Sequence, residues 1–343
     1  MQGGISGNTN DWYLTSEASQ VAPEGGAYIG TQQATRTMFD HGLQDRASKR
    51  SLGADRQDSG LWMRAQGRHD KGMRMAEGKV DIDSSSDVVQ MGGALLRRPV
   101  GAQGALYAGL MAGYGDARID STSTLMRRDT NTAVRAKAHG KVSGYSAGVY
   151  GTFYADDVNR LGAYVDTWLQ YGRYTNRLSS ELGSADYDSN LWSASLESGY
   201  ALAPFAADSP FRAWVVEPRG QLIYSRYTAR AADLQDTRLR NGTADAWRSS
   251  IGVRLYQQPG QAADESVLRP FVETNWLHSE AVPSVRMGSN SFDARPSRDA
   301  LELKVGAQLR VARDVELSSH LFGHSGSASE YGYGGQLSLS YSW

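Results

Sequence analysis

"SGYSAGVYGTFYADD", residues 143–157, is the stretch on which the fold turns. It contains Gly144-Tyr145-Ser146-Ala147-Gly148, a match to the G-x-S-x-G elbow of serine hydrolases. That elbow needs a strand, a strained turn and then a helix. The residues that follow Ser146 do not suit a helix, because Gly148, Val149, Tyr150, Gly151 and Thr152 are all poor helix formers. Read with period 2, Tyr145, Ala147, Val149, Gly151 and Phe153 share one face. Gly144, Ser146, Gly148, Tyr150 and Thr152 share the other. The match therefore lies inside one long strand, with Ser146 a small polar residue on one face of a sheet.

The same alternation recurs along the chain. Leu301, Leu303, Val305, Ala307, Leu309 and Val311 enclose Glu302, Lys304, Gln308 and Arg310. Leu268, Pro270, Val272, Thr274 and Trp276 oppose Arg269, Phe271, Glu273 and Asn275. Trp214, Val216, Leu222 and Tyr224 oppose Glu217, Arg219 and Gln221; Trp247, Ile251, Val253 and Leu255 oppose Arg248, Ser250 and Arg254. Leu161, Val165, Leu169 and Tyr171 oppose Tyr164, Asp166 and Gln170; Trp192, Leu196 and Tyr200 oppose Ser193, Ser195 and Glu197. The last segment sets Tyr331, Tyr333, Leu337, Leu339, Tyr341 and Trp343 against Gln336, Ser338, Ser340 and Ser342. About twelve such segments fit between Gly60 and Trp343, roughly 24 residues for each strand and turn, where a membrane-spanning strand needs about 9–11.

Many apolar faces begin or end in Trp or Tyr, as the interfacial girdles of an outer-membrane barrel do. A soluble sandwich has shorter strands, about 5–6 residues, and a thicker core than these Ala-, Gly- and Thr-containing faces would build. The expected fold is all-β: a 12-stranded antiparallel transmembrane β-barrel over residues 60–343.

Composition narrows the function. The net charge of −1 argues against a nucleic-acid partner. With no cysteine there are no disulfides and no thiolate metal sites. No run of 18 apolar residues offers a spanning helix, and no signal peptide is visible at Met1. His69, His139, His278, His320 and His324 are scattered without a metal-ligand spacing, so neither a metal nor a cofactor is expected.

The inward faces carry Arg64, Asp166, Glu197, Glu217, Arg219, Arg254, Glu273, Glu302, Lys304 and Arg310, charges that must be watered or paired. Twelve strands leave room for one extended chain or one helix. "TQQATRTMFDHGLQDR", Thr31–Arg46, has Ala34, Met38 and Leu43 at roughly helical spacing. Its 16 residues would make a helix of about 24 Å. It is too polar to face lipid, so Gln33, Arg36, Thr37, Met38, Phe39, Asp45 and Arg46 are read as an N-terminal α-helix threaded through the lumen. Gly42 would kink or end it.

These stretches resemble the translocator domain of autotransporters (type V secretion), most closely the AIDA-type adhesin subgroup. The similar segments are "GLMAGYG" (109–115), "GYSAGVYGTFYADD" (144–157), "GAYVDTWLQYGRY" (162–174), "ASLESGY" (194–200), "EPRGQLIY" (217–224) and "PFVETNWLH" (270–278). "TMFDHGLQDR" (37–46) is similar to the helix leading into the barrel, and "NDWYLTS" (10–16) to the end of a passenger β-helix.

The resemblance implies a monomeric outer-membrane barrel of a Gram-negative bacterium. It also implies a longer precursor whose own N-terminal passenger, an adhesin, reaches the cell surface. The implied partners are the barrel-assembly machinery, periplasmic chaperones and outer-membrane lipid or lipopolysaccharide. Residues 1–25 would be passenger tail and linker, and residues 26–50 the helical linker and pore plug. Leu337, Leu339, Tyr341 and Trp343 would form the C-terminal assembly signal. Some relatives cut themselves at an Asn-Asn bond inside the barrel; no such pair occurs in the linker or helix, where Asn8 and Asn10 stand apart. The competing functions are a barrel hydrolase or protease, and a plain porin.

Overall fold

Long alternating runs make long strands. The computed structural model describes residues 21–46 and 60–342, apart from 128–131, 207, 235–236, 242–244, 259–267, 289, 313 and 328. Two helical segments come first, α1 (Pro23–Thr37) and α2 (Leu43–Arg46). They are followed by β1 (Gly60–Met75), β2 (Val80–Val100), β3 (Gly104–Arg127), β4 (Thr132–Tyr154), β5 (Gly162–Ser180) and β6 (Gly183–Ala201). Next come β7 (Trp214–Ala229), β8 (Ala232–Leu234), β9 (Thr237–Asn241), β10 (Asp245–Gln257) and β11 (Leu268–Ser279). The chain ends with β12 (Ser284–Met287), β13 (Asn290–Arg295), β14 (Asp299–Ala312), β15 (Val315–Gly326) and β16 (Tyr331–Ser342).

Twelve of these strands form the wall: β1 to β7, β10, β11 and β14 to β16, each antiparallel to the next. β16 pairs back onto β1 from Gly60↔Ser342 to Lys71↔Tyr331, so the wall is a closed barrel without a free edge. Gly144 to Gly148 sits in the middle of β4, in register with β3 and β5 throughout. The hydrolase elbow is absent because the strand continues straight through Ser146.

Alternation sorts the side chains as a barrel requires. The outer wall exposes Leu61, Met63, Met91, Leu110, Val149, Leu169, Leu196, Ile251, Leu303 and Leu321. So large an apolar surface belongs in a membrane. Aromatic pairs edge it: Tyr114 with Tyr145 at 5.0 Å, Tyr171 with Trp192 at 4.8 Å and Tyr224 with Trp247 at 4.8 Å between centroids. Leu337, Leu339 and Tyr341 are exposed on the outside of β16. Trp343 lies outside the described residues, as do residues 1–20 with "NDWYLTS", and 47–50 at the end of the expected plug segment.

Four short strands add what the alternation does not announce. β8 and β9 form a hairpin between β7 and β10, and β12 and β13 form another between β11 and β14. The hairpins join through β9 and β12, and β13 pairs with the end of β1. They cover the barrel end away from Gly60. Buried there are Leu234, Leu239, Val285 and Ala294, clustered with Ala27, Tyr28 and Ile29 of the helix.

The helix itself differs from the expected single span Thr31–Arg46. It begins eight residues earlier, at Pro23, stops at Thr37, and resumes for one turn at Leu43. Pro at the first turn followed by Glu24 suits a helix start. The break falls between Met38 and Gly42.

Candidate functional site

Both helical segments lie inside the barrel, and their direction is fixed by what they touch. A Cβ on Gly26 would meet Val80 at 2.7 Å and Ile82 at 3.2 Å, at the β1–β2 hairpin end. Arg46 reaches Thr152 and Asp166, near the end where β1 starts and β16 stops. The chain thus runs down the lumen from the hairpin-capped end towards the end from which the barrel itself departs.

The outer half of this path is apolar and close-packed. Gly26 and Gly30 are one turn apart on the face against β2 and β3, and a Cβ on Gly30 would collide with Ile119. Tyr28 stacks on Tyr187 with centroids 5.1 Å apart. Thr31 Oγ1 lies 2.5 Å from the Tyr187 hydroxyl. Further down, Met38 approaches Gly115, Phe39 approaches Gly113, and the Phe39 ring is 6.3 Å from Tyr174. Glycines on the wall make room for the large side chains of the threaded segment.

The inner half is polar, and here the predicted lumen charges converge. Asp40 pairs with Arg248, whose Nη2 also donates to the Arg36 carbonyl at 3.0 Å. Arg64, fully buried, donates to Gln90 at 2.8 Å, to Gln336 at 3.2 Å and to the Asp40 carbonyl at 3.5 Å. His41 stacks on Trp168 with centroids 5.0 Å apart; its carbonyl accepts from Trp168 Nε1 at 3.2 Å and Gln221 Nε2 at 2.9 Å. The Leu43 amide donates to Glu197 at 2.9 Å, and Gln44 Nε2 donates to Glu217 at 3.0 Å. Asp45 lies 3.5 Å from Lys304, and its carbonyl accepts from Gln336 at 2.8 Å. Arg46 pairs with Asp166 and lies over the Tyr150 ring at 4.2 Å.

The remaining charges neutralise one another around this segment. Arg219 is 3.7 Å from Glu197 and 3.4 Å from Glu273, and Arg254 is 3.4 Å from Glu273. Lys304 is also 3.7 Å from Glu273 and 3.8 Å from Glu302. Arg310 is half-buried near the far end of β14, away from the cluster. Of the threaded residues, Arg36, Met38, Phe39 and Arg46 are buried, while Gln33, Thr37 and Asp45 are half-buried.

Sequence reading missed the aromatic and amide members: Trp62, Tyr150, Trp168 and Gln90, with Asp40 and His41 on the threaded segment. Inward parity was the available signal for two of them: Trp62 lies two residues from Arg64, and Trp168 two residues from both Asp166 and Gln170.

Among the described residues, spaces lie beside the threaded chain on two sides of the segment Leu43 to Arg46. One, of about 220 Å³, reaches from the hairpin end down to Asp45 and Lys304. Another, of about 120 Å³, lies below Leu43 to Arg46 beside Trp62 and Tyr164. At the rim of the first, burial holds the Glu330 carboxyl above the usual carboxylate range, while the Ser297 amide donates to it at 2.7 Å. Among the described residues no nucleophile constellation surrounds Ser146. Its Oγ donates to Gln170 Oε1 at 3.1 Å, the acceptor that also takes Gln90 Nε2 at 3.0 Å. Among the described residues no group of three or more His, Asp or Glu could hold a metal ion.

A closed twelve-stranded barrel with an apolar outer belt and its own N-terminal segment through the lumen is an outer-membrane protein. Residues 61–320 match the family model described as the autotransporter beta-domain, and the chain belongs to that family. It is 28% identical to the uncharacterized protein YdeU of Escherichia coli K12, over 99% of this chain and 78% of that protein. It is 25% identical to the autotransporter adhesin AIDA-I of Escherichia coli over all of this chain, but spans only 27% of the adhesin. The crystal structure of the AIDA-I transport unit superposes with a TM-score of 0.80 at 22% identity, covering 94% of this chain and 100% of that one.

Proposed function

We propose that this domain anchors a passenger at the cell surface and, with the threaded segment retained, closes the pore after export. The single observation behind this reading is the direction of the chain. It enters the lumen at the capped end and leaves at the end where β1 begins. A passenger attached ahead of the threaded segment would therefore lie on the far side of the membrane from the barrel's own termini.

Outer-membrane hairpin barrels keep their short turns on the periplasmic side and longer loops outside. Here the capped end carries the two extra hairpins, so it is the outer end. The passenger would be an adhesin, in keeping with the AIDA-I likeness. The barrel-assembly machinery and periplasmic chaperones would deliver the domain, reading Leu337, Leu339, Tyr341 and Trp343 at the C-terminus. The pore helix residues Gln33, Arg36, Thr37, Met38, Phe39, Asp45 and Arg46 would hold the plug, and the domain would work as a monomer without turnover. A porin has no use for a lumen already filled, and a hydrolase has no nucleophile in Ser146.

The test places a signal peptide and an epitope tag before Met1 and expresses the protein in a Gram-negative host. Intact cells are then probed with antibody and external protease. A tag exposed on intact cells supports export. A tag confined to the periplasm, with the barrel correctly inserted, would overturn it.

A further inference from the structure

Above the aromatic girdle the outer wall of β4 changes character. Its outward positions from Lys141 upward are Lys141, His139, Lys137 and Arg135, every one basic and every one exposed. The intervening residues Gly140 and Ala138 are buried against the interior, and Ala136 is half-buried. On β3, Arg118 stands directly opposite Lys141. On β5, Arg173 stands directly opposite Tyr145 of the girdle. The result is a basic ladder that starts at the membrane interface and climbs away from it.

The wall leaves most of this ladder without an ion-pair partner among the described residues. Two nearby acids answer it in part: Asp120 bonds His139, one rung of the ladder, at 2.6 Å, and Asp186 holds Arg177, which stands opposite Lys141, at 2.7 Å. Asp116 faces Ser143 across the strands and is half-buried. Arg118, Arg135, Lys137, Lys141 and Arg173 form no ion pair among the described residues. Like charges on adjacent or opposed positions destabilise a sheet when nothing lies between them. A run of basic residues on a solvated face is common, but this one has a fixed relation to the lipid belt. Val149 and Tyr145 face the apolar band on the same strand and the same face. Lys141 lies four residues above Tyr145, about 10 Å along the membrane normal for a strand tilted about 40°. Arg135 is roughly 25 Å above it on the same geometry.

We propose that the outer wall of β3 to β5 is a binding surface for a phosphorylated glycolipid headgroup of the outer leaflet. Arg173, Arg118 and Lys141 meet the phosphates nearest the acyl chains, while Lys137 and Arg135 meet anionic groups on the sugars above. The position argues for a lipid rather than a soluble polyanion, because the ladder is continuous with the lipid-facing belt and begins at its aromatic edge. Lys and Arg together supply the point charge and the forked donors that phosphates take. The proposal rests on the capped end being the outer end, and it does not depend on passenger export.

The experiment uses the full chain refolded in detergent and titrated with purified rough lipopolysaccharide, in EDTA so that no divalent cation bridges the glycolipid to acidic residues. A four-site variant carries Arg118→Gln, Arg135→Gln, Lys137→Gln and Lys141→Gln. All four side chains are exposed, and heat-modifiable gel mobility checks that the variant barrel is closed. A cation near an anionic surface contributes about fivefold in affinity, so the variant should bind at least tenfold more weakly and show a shallower salt dependence. Enzymatically dephosphorylated glycolipid should lose the same increment on the native chain, and inorganic phosphate at millimolar concentration should not displace the glycolipid. Equal affinity of native chain and folded variant would overturn the proposal. So would undiminished binding of the dephosphorylated glycolipid, or full displacement by inorganic phosphate, which would mark a simple anion site.

Discussion

At the scale of single residues the lumen is a set of opposite charges brought together from distant parts of the chain. Parity along each strand assigns Arg64, Asp166, Glu197 and Glu273 to the interior, and they are buried there. Parity cannot say who meets whom. Arg46 and Asp166 are 120 residues apart, and no period in the sequence encodes a distance across a tunnel. Both are almost wholly buried, so removing one partner leaves an uncompensated charge, at a cost of about 3–5 kcal/mol. We expect Asp166→Ala to loosen the inner half of the plug, seen as more frequent opening in single-channel recordings. Arg46→Gln combined with Asp166→Asn should be quieter than Asp166→Ala alone, since no bare charge remains. Ser146→Ala is the complementary case. It removes one hydrogen bond to Gln170, about 1 kcal/mol, and should change neither surface display of the tag nor conductance. A loss of any ester-hydrolysing activity in that variant would revive the elbow that β4 argues against.

At the scale of elements, the strands were legible and the helix only in part. The strands show because one face must be apolar against lipid and the other polar against the lumen, which writes period 2 directly into the residues. The start of α1 is hidden by "PEGGAYIG", Pro23–Gly30, whose glycines read as a linker on propensity alone. Inside the barrel those glycines are what lets the helix lie against Val80, Ile82 and Ile119. Packing overrides propensity here, with the strand wall replacing the stability that the helix lacks by itself. The hairpins β8–β9 and β12–β13 were not legible, because strands of three to six residues leave too little alternation to stand out. Gly30→Leu would overpack the seam with Ile119, a cost of about 1–3 kcal/mol. Hydrogen exchange across α1 should accelerate in that variant while the exchange of β10 to β16 stays unchanged. Equal protection of α1 in both proteins would mean that the helix is held by the polar segment alone.

At the scale of the whole molecule, the question is which part of the threaded chain closes the pore. The helix α1 leans on β2 to β5 and leaves the larger cavity along β10 to β16, open as far down as Asp45 and Lys304. The second cavity begins on the other side of Leu43 to Arg46. Between the two stands the segment His41 to Arg46, bonded to Asp166 and Trp168 of β5, Glu197 of β6, Glu217 and Gln221 of β7, and Gln336 of β16. A seal needs bonds on several sides of the lumen at one level. Among the described residues this short segment is bonded to β5, β6, β7, β14 and β16, while the helix above packs mostly on β2 to β5, with lesser contacts to β7 and the extra hairpins, and leaves the larger cavity open beside it. Deleting residues 26–50 should therefore raise single-channel conductance sharply, whereas deleting residues 21–37 should raise it far less while the segment 38–46 stays seated. If the two deletions conduct alike, the seal is the helix, and the ring of bonds around His41 to Arg46 serves only to hold the chain in place. If the shorter deletion stays nearly silent, closure depends on a few residues at mid-lumen. The long helix then serves chiefly to fill the outer barrel and lead the passenger's attachment point to the cell surface.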